Sequence, residues 1–383
     1  AEAVELGVVG LEAVAGQILE ALVGCAEDLR CQGRCDTRWV SARRTETPVS
    51  GGPGPASEAV PQAPIAPPSA APAVAPDPAD ERMTARAKAR GRAGLRRKRH
   101  RIHGGALPNL IVIGAMKCGT TSLHRYLRLH PEIAMSAPKE LNFFVGELQW
   151  GLGEEWYRSH FDPRLAIRGE SSVHYTNFPR FAGVPERIHS LVPEAKLIYM
   201  VRDPIDRMLS HYVHNRAGGY ERLEAEEAFA KPSSYIDRSR YAMQLEQYLE
   251  HFPAESVLVA TQEELNRDRR ATLRRIFEYL GVDPSFDTEQ FEREWETGSG
   301  KGRRFSLLDR VARMPGMRVF DKSYDRLPEG MLWTIERVAY SPRGGAVAKP
   351  ELSLELRERL GESFRDDVAE LERFAGRELG WSI

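Results

Sequence analysis

Beyond Pro108, short runs of apolar and β-branched residues alternate with stretches whose apolar positions recur every three or four residues. That alternation predicts a parallel sheet covered by helices on both faces. The runs that read as strands are Leu110–Gly114, Ala166–Glu170, Lys196–Val201 and Ser256–Thr261. Helical periodicity covers Glu154–Phe161, Arg180–Leu191, Pro204–Arg216, Tyr235–His251 and Arg269–Leu280. Asp203 ahead of Pro204 predicts an N-cap followed by a first-turn proline, and Gly281 after Leu280 predicts a C-cap.

The first hundred residues break this pattern. Val4–Cys25 is apolar and helix-compatible, yet Glu5, Glu12 and Glu20 interrupt it and no basic region precedes it, so residues 1–46 read as a small helical segment rather than a signal or a spanning helix. Residues 47–81 are dominated by Pro, Ala, Gly and Ser, a composition that cannot offset the entropy of ordering a chain and predicts a disordered linker. Residues 82–106 form a basic segment in which Arg82–Arg101 contains no acid. This run offers weak contact to a membrane surface or another anion, although a solvated charged run beside a linker needs no partner, and no nucleic acid is expected. The formal net charge of −1 hides this split between a cationic segment and a mildly acidic remainder. A main domain over 107–383 is left, long enough to bury a full-sized core with 42% hydrophobic residues in the chain. The four cysteines, Cys25, Cys31, Cys35 and Cys118, have neither metal-binding spacing nor the density of a disulfide scaffold, and a reducing cytoplasm is the expected compartment.

The most informative stretch runs from Leu110 to Leu123, where a buried strand meets a glycine-bounded loop and a hydroxyl-rich helix start. Backbone N–H groups at a helix N-terminus, with Lys117 beside them and Gly114 and Gly119 allowing close approach, make a cradle for a phosphorylated ligand. The whole reads as an α/β, P-loop-like parallel sheet preceded by a disordered tail. The commonest phosphate loop carries lysine directly after its second glycine. Here that position is Thr120 and the lysine sits earlier, which weakens an ATPase or GTPase reading. Ligands of open α/β sheets lie beyond the carboxyl ends of the strands. The residues in those positions are Lys117–Ser122, then Ser171, Ser172 and His174, then Arg202-Asp203-Pro204.

Four motifs in order resemble those of sulfotransferases that use 3′-phosphoadenosine-5′-phosphosulfate (PAPS), in particular bacterial relatives of the heparan sulfate enzymes. They are Gly114-Ala-Met-Lys117-Cys-Gly119-Thr120-Thr121-Ser122, Pro138-Lys139-Glu140-Leu-Asn-Phe143-Phe144, Val201-Arg202-Asp203-Pro204 with Arg207 and Ser210, and Gly300-Lys301-Gly302-Arg303. The resemblance spans roughly Leu107 to Phe305, with a weaker echo in a C-terminal helix from Glu351. It implies that Lys117, Cys118, Gly119, Thr120, Thr121 and Ser122 grip the 5′-phosphosulfate, the lysine countering charge on the departing bridging oxygen. Arg202 and Ser210, with the Lys301-Gly302-Arg303 loop, would hold the 3′-phosphate. No metal is implied. Glu140 matches the catalytic glutamate of the polysaccharide enzymes and is the first choice for the base that takes the acceptor proton. Those enzymes carry a lysine after the next strand where this chain has Ser171, a departure that makes His174 a rival or assisting base.

The implied activity is sulfuryl transfer to a hydroxyl or amine of a small-molecule or carbohydrate acceptor, plausibly a sugar or glycolipid. The acceptor loops would be Glu147–Tyr157, His214–Tyr241 and Phe305–Tyr340, with the Gly-, Pro- and Arg-rich insert Ser306–Lys349 shaping or covering the site. Two other classes stand beside this reading: a nucleotide or sugar kinase dependent on ATP and Mg²⁺, and a nucleotide-binding protein without turnover. Blander roles also exist for single residues. Arg202 could simply pair with Asp206 or Glu170, Ser210 could be a helix-face serine, and Tyr241, Trp150 and Trp156 could be core rather than acceptor pocket. His211 and His214 have the spacing of a weak metal pair but lack a third ligand.

Overall fold

The structure is a computed structural model, and it describes Thr84 and residues 105–230, 233–293 and 347–383. The N-terminal helical segment, the linker, nearly all of the basic segment, the Lys301-Gly302-Arg303 loop and the Phe305–Tyr340 acceptor loop lie outside the described residues.

Five parallel strands make the sheet: β1 (Leu110–Gly114), β2 (Ile133–Met135), β3 (Ile167–Ser171), β4 (Lys196–Val201) and β5 (Val257–Thr261), in the order β2-β3-β1-β4-β5. β1 is buried on both faces and along both edges, as its unbroken apolar run requires. The chain leaves β1 first toward β3 and later toward β4, so the loops at its carboxyl end diverge and open a crevice. β1 and β4 coincide with the expected limits, and β3 and β5 fall within one residue of them. β2 was not foreseen because three residues at a sheet edge are too few to show a period.

Helices cover the sheet: α1 (Thr120–Leu127), α2 (Glu154–Arg158), α3 (Val184–Leu191), α4 (Pro204–Ala217), α5 (Ala225–Phe229), α6 (Ser234–Asp237), α7 (Tyr241–Leu249), α8 (Gln262–Arg267), α9 (Arg269–Leu280) and α10 (Leu354–Ala375). Asp203 caps α4 through Asp206 N, with Pro204 opening the helix, and Gly281 closes α9 in a left-handed conformation at φ 77°. α3 starts at Val184 rather than Arg180, because Gly183 turns the chain at φ 71° and Pro185 occupies its first turn.

The single helix expected over Tyr235–His251 is two. Between α6 and α7, Ser239 Oγ accepts from Arg207 Nε (2.6 Å) and Arg238 Nε donates to Asn177 Oδ1 (2.7 Å), tertiary bonds that outweigh continuous helical propensity. α7 has no capping side chain of its own. Its first turn is closed instead from α10, where Asp367 Oδ2 accepts from Ala242 N (3.1 Å) and Oδ1 from Met243 N (3.0 Å). Replacing Asp367 by Ala is expected to cost about 1–2 kcal/mol, the usual loss for a helix cap. Urea unfolding that shows no change in midpoint would refute this account of how α10 holds the fold.

Candidate functional site

The cradle forms where β1 runs out. Gly114 has φ 149°, and a Cβ there would lie 2.0 Å from Thr176 Oγ1, so only glycine fits. Thr176 Oγ1 in turn donates to Ile113 O (3.2 Å), tying the end of β1 to the segment after β3. Lys117 has φ 72°, a left-handed conformation unusual for a residue with a side chain, and it points the loop into α1 through Gly119 at φ 82°. No side chain caps α1 and no acid sits in its first turn. The N-terminal N–H groups of Thr120, Thr121 and Ser122 are thus placed for an anionic group, which is the fit a phosphosulfate needs.

Cys118 belongs to this loop by position but not by side chain. Its thiol is fully buried and bonds Tyr241 Oη (3.6 Å) and Met116 O (3.8 Å). Burial pushes the thiol pKa up to about 11, despite the opposing charges of Arg207 and Arg202, so it is a packing group with little thiolate character. Tyr241, fully buried against it, is core rather than acceptor pocket.

Arg202 follows β4, near enough to Cys118 for its charge to act there. It pairs with Asp206 Oδ2 (3.1 Å), as the blander reading anticipated, and Lys349 Nζ takes the other oxygen of the same carboxylate (2.7 Å). Burial would raise the Asp206 carboxyl, but Lys349 and Arg202 outweigh it and hold it below the usual range. Ser210 lies four residues beyond Asp206 in α4, on the same face. Arg202, Lys349 and Ser210 therefore share one neighbourhood, and Lys349 is the member that sequence reasoning missed. Arg207 is fully buried, its Nη2 donating to Tyr235 O (2.7 Å), and it locks α4 to the turn after α6. His211 is likewise fully buried, with Asn215 Nδ2 at 3.3 Å from its Nε2. No group of three His, Cys, Asp or Glu suited to a metal occurs among the described residues.

The Pro138–Phe144 motif is an extended loop clamped to the end of β3. Glu140 (φ 64°) and Asn142 (φ 49°) are both left-handed without being glycine. Glu140 N donates to Ser171 O (3.0 Å), and Val173 N donates to Glu140 Oε2 (2.8 Å). Lys139 Nζ pairs with the other oxygen, Oε1, and about a third of the Glu140 side chain remains exposed, 32%. β3 is one of the two strands paired with β1, so the Glu140 loop is bonded to a strand end next to the one that carries the cradle. Ser171 is fully buried, its Oγ 2.9 Å from His124 Nδ1. Burial, with Lys139 and Arg128 nearby, lowers the His124 pKa to about 3, so the pair is neutral and supplies no cation. His174 sits on the turn just after β3, half-buried, with its ring edge-on to Phe181 at 5.7 Å.

Beneath the loop lies Glu170, which is fully buried. Burial, reinforced by the charge of Glu140, raises its carboxyl to about 7, while hydroxyl donors from Tyr157, Tyr175 and Ser172 pull the other way. Trp150 is 36% exposed on a turn beyond Phe144, and Trp156 is half-buried under the same aromatic group.

The Sulfotransferase domain family matches residues 107–303, more than half of the chain. The bifunctional heparan sulfate N-deacetylase/N-sulfotransferase 1 of Caenorhabditis elegans is 28% identical over 250 residues, 61% of this chain and 28% of that protein. The mouse N-deacetylase/N-sulfotransferase 4 is 30% identical over 247 residues, covering 54% and 28% of the two chains. The match thus spans little more than a quarter of these relatives. A solved sulfotransferase from Alicyclobacillus acidocaldarius superposes with TM-score 0.50 at 27% identity, covering 72% of this chain and 98% of that one. The chain belongs to the sulfotransferase domain family, a family of PAPS-dependent transferases, and the kinase alternative is set aside.

Gly114→Ala is expected to prevent a stable fold through its clash with Thr176, whereas Gly119→Ala, whose Cβ would meet only Gln262 Cγ at 3.5 Å, should cost about 1 kcal/mol for its left-handed backbone. Thermal unfolding of both variants distinguishes the two. The raised Glu170 pKa also carries a sign. Between about pH 4.5 and 7 the folded protein holds a proton that the unfolded chain has released, so this group's contribution to stability is full below that window and lost as pH rises through it. Relative to Glu170→Gln, the wild-type protein should lose stability across that window with a slope of up to about 1.4 kcal/mol per pH unit. Urea titrations at several pH values with a constant difference would contradict it.

Proposed function

We propose that this chain transfers a sulfuryl group from PAPS to a hydroxyl or amine of a sugar acceptor, with Glu140 as the base. The observation that carries this reading is the bonding of the Glu140 loop to the end of β3, the neighbour of β1, with one carboxylate oxygen fixed by Val173 N and part of the side chain open to solvent. Lys117 and the first turn of α1 receive the phosphosulfate, and Arg202, Ser210 and Lys349 are disposed to receive the 3′-phosphate.

In the in-line displacement, the acceptor oxygen or nitrogen forms a bond to sulfur as the bond from sulfur to the bridging phosphate oxygen breaks. Glu140 takes the acceptor proton, and Lys117 counters the negative charge that the leaving oxygen acquires. Lys139, paired with Glu140 Oε1, orients that carboxylate. Ser171, where the polysaccharide enzymes carry lysine, is closed off against His124, so the cation beside the base is Lys139. A sugar acceptor is supported by the relatives named for heparan sulfate.

Adenosine-3′,5′-bisphosphate should raise the thermal midpoint where ATP with Mg²⁺ does not, by about 2.7 kcal/mol of stabilisation at a hundredfold excess over Kd. With PAPS and de-N-acetylated heparosan as acceptor probe, Glu140→Gln should lower kcat by about 10²–10⁴-fold while keeping the bisphosphate shift. Wild-type turnover in Glu140→Gln, with loss in His174→Ala, would transfer the role of base to His174.

A further inference from the structure

We propose that Glu170 is a positioning residue for the loop that carries Glu140, an inference that rests on the reading of Glu140 as the base. The loop departs from ordinary backbone geometry twice, at Glu140 and Asn142, and left-handed backbone at residues with side chains persists only where the surroundings over-determine it. The surroundings here converge on one carboxylate.

Asn142 N donates to Ser172 Oγ (2.9 Å), and Phe144 N donates to Tyr175 Oη (3.4 Å). A main-chain N–H can only donate, so both hydroxyl oxygens act as acceptors on that side and each has its proton left to place. Both protons go to Glu170: Ser172 Oγ donates to Oε2 (2.8 Å) and Tyr175 Oη to Oε1 (2.7 Å). Tyr157 Oη supplies a third donor to Oε1 (2.6 Å), and its ring stacks on Phe143 at 4.2 Å and 7°. Asn142 and Phe144 are thus held by hydroxyl groups that donate to Glu170, and Phe143 between them packs on the ring of a third such donor.

When ionised, Glu170 is an acceptor-only group whose two oxygens complete this relay. Glutamine in its place can take the two tyrosine protons on its oxygen, but its amide then faces Ser172 and leaves the serine proton without an acceptor. Glu170 touches no part of the proposed reacting groups. It acts through Ser172 and Tyr175 on the backbone that aims the Glu140 carboxylate.

The test compares Ser172→Ala, Glu170→Gln, their double variant and Glu140→Gln in the full chain, by amide hydrogen exchange and by turnover of PAPS with de-N-acetylated heparosan. Exchange at Asn142 should accelerate in Ser172→Ala and in Glu170→Gln, with the amides of the central strand unchanged. Turnover should fall about 10–100-fold in kcat, with KM for PAPS and the bisphosphate thermal shift unaltered, because a misaimed base slows the transfer step without loosening the donor. The double variant should be no slower than the worse single one. Unchanged Asn142 exchange in Ser172→Ala overturns the proposal whatever the acceptor. So does full kcat in Ser172→Ala and Glu170→Gln while Glu140→Gln is inactive, an outcome that leaves the base reading standing. Full kcat in Glu140→Gln removes the base reading and this proposal with it.

Discussion

Everything near the site depends on β1 being buried on all sides and ending at Gly114. A strand with both edges paired and both faces covered cannot shift its register without exposing apolar side chains or orphaning hydrogen bonds, so its carboxyl end is a fixed point. The cradle hangs from that point. Its neighbours β3 and β4 end on either side, β3 bonded to the Glu140 loop and β4 running into Arg202, which is how three separated motifs come to the same end of the sheet.

The two residues singled out for chemistry, Lys117 and Glu140, are both left-handed, and neither is glycine. Local preference disfavours that conformation by roughly 1–2 kcal/mol per residue, so tertiary contacts must hold it. For Glu140 those contacts are visible at Ser171 O and Val173 N, and the next turn of the loop is bonded at Asn142 and Phe144 to Ser172 and Tyr175, whose hydroxyls donate to the buried Glu170 carboxyl. The same burial that makes Glu170 a good anchor makes it costly to ionise, and three hydroxyl donors offset part of that cost.

Ser171, at the end of β3, bears on the same place. Ser171 is turned inward to a neutral histidine, and positive charge reaches Glu140 from Lys139 on its own loop. On the other side of β1, Asp206 is shared by Arg202 and Lys349, residues 147 apart in sequence. Two cations are gathered there around one carboxylate.

The sequence by itself determined the strand-loop-helix cradle, the α4 cap, four of the five strands and the order of the motifs, because each is written in short-range pattern: apolar runs, glycine spacing, Asp before Pro. Only the tertiary structure decided what depends on distant partners. The split of the expected Tyr235–His251 helix follows from Arg207 and Asn177 reaching into it, and the start of α7 follows from Asp367 in another helix. β2 is a strand because β3 lies beside it. Tyr241 and the Cys118 thiol are core in the fold, in line with the blander reading of each, while Lys349 and Glu170 carried no local signal and gained their places from neighbours far along the chain. Periodicity reports what a residue's immediate neighbours demand, and burial, pairing and left-handed backbone at a site are set by contacts it cannot register.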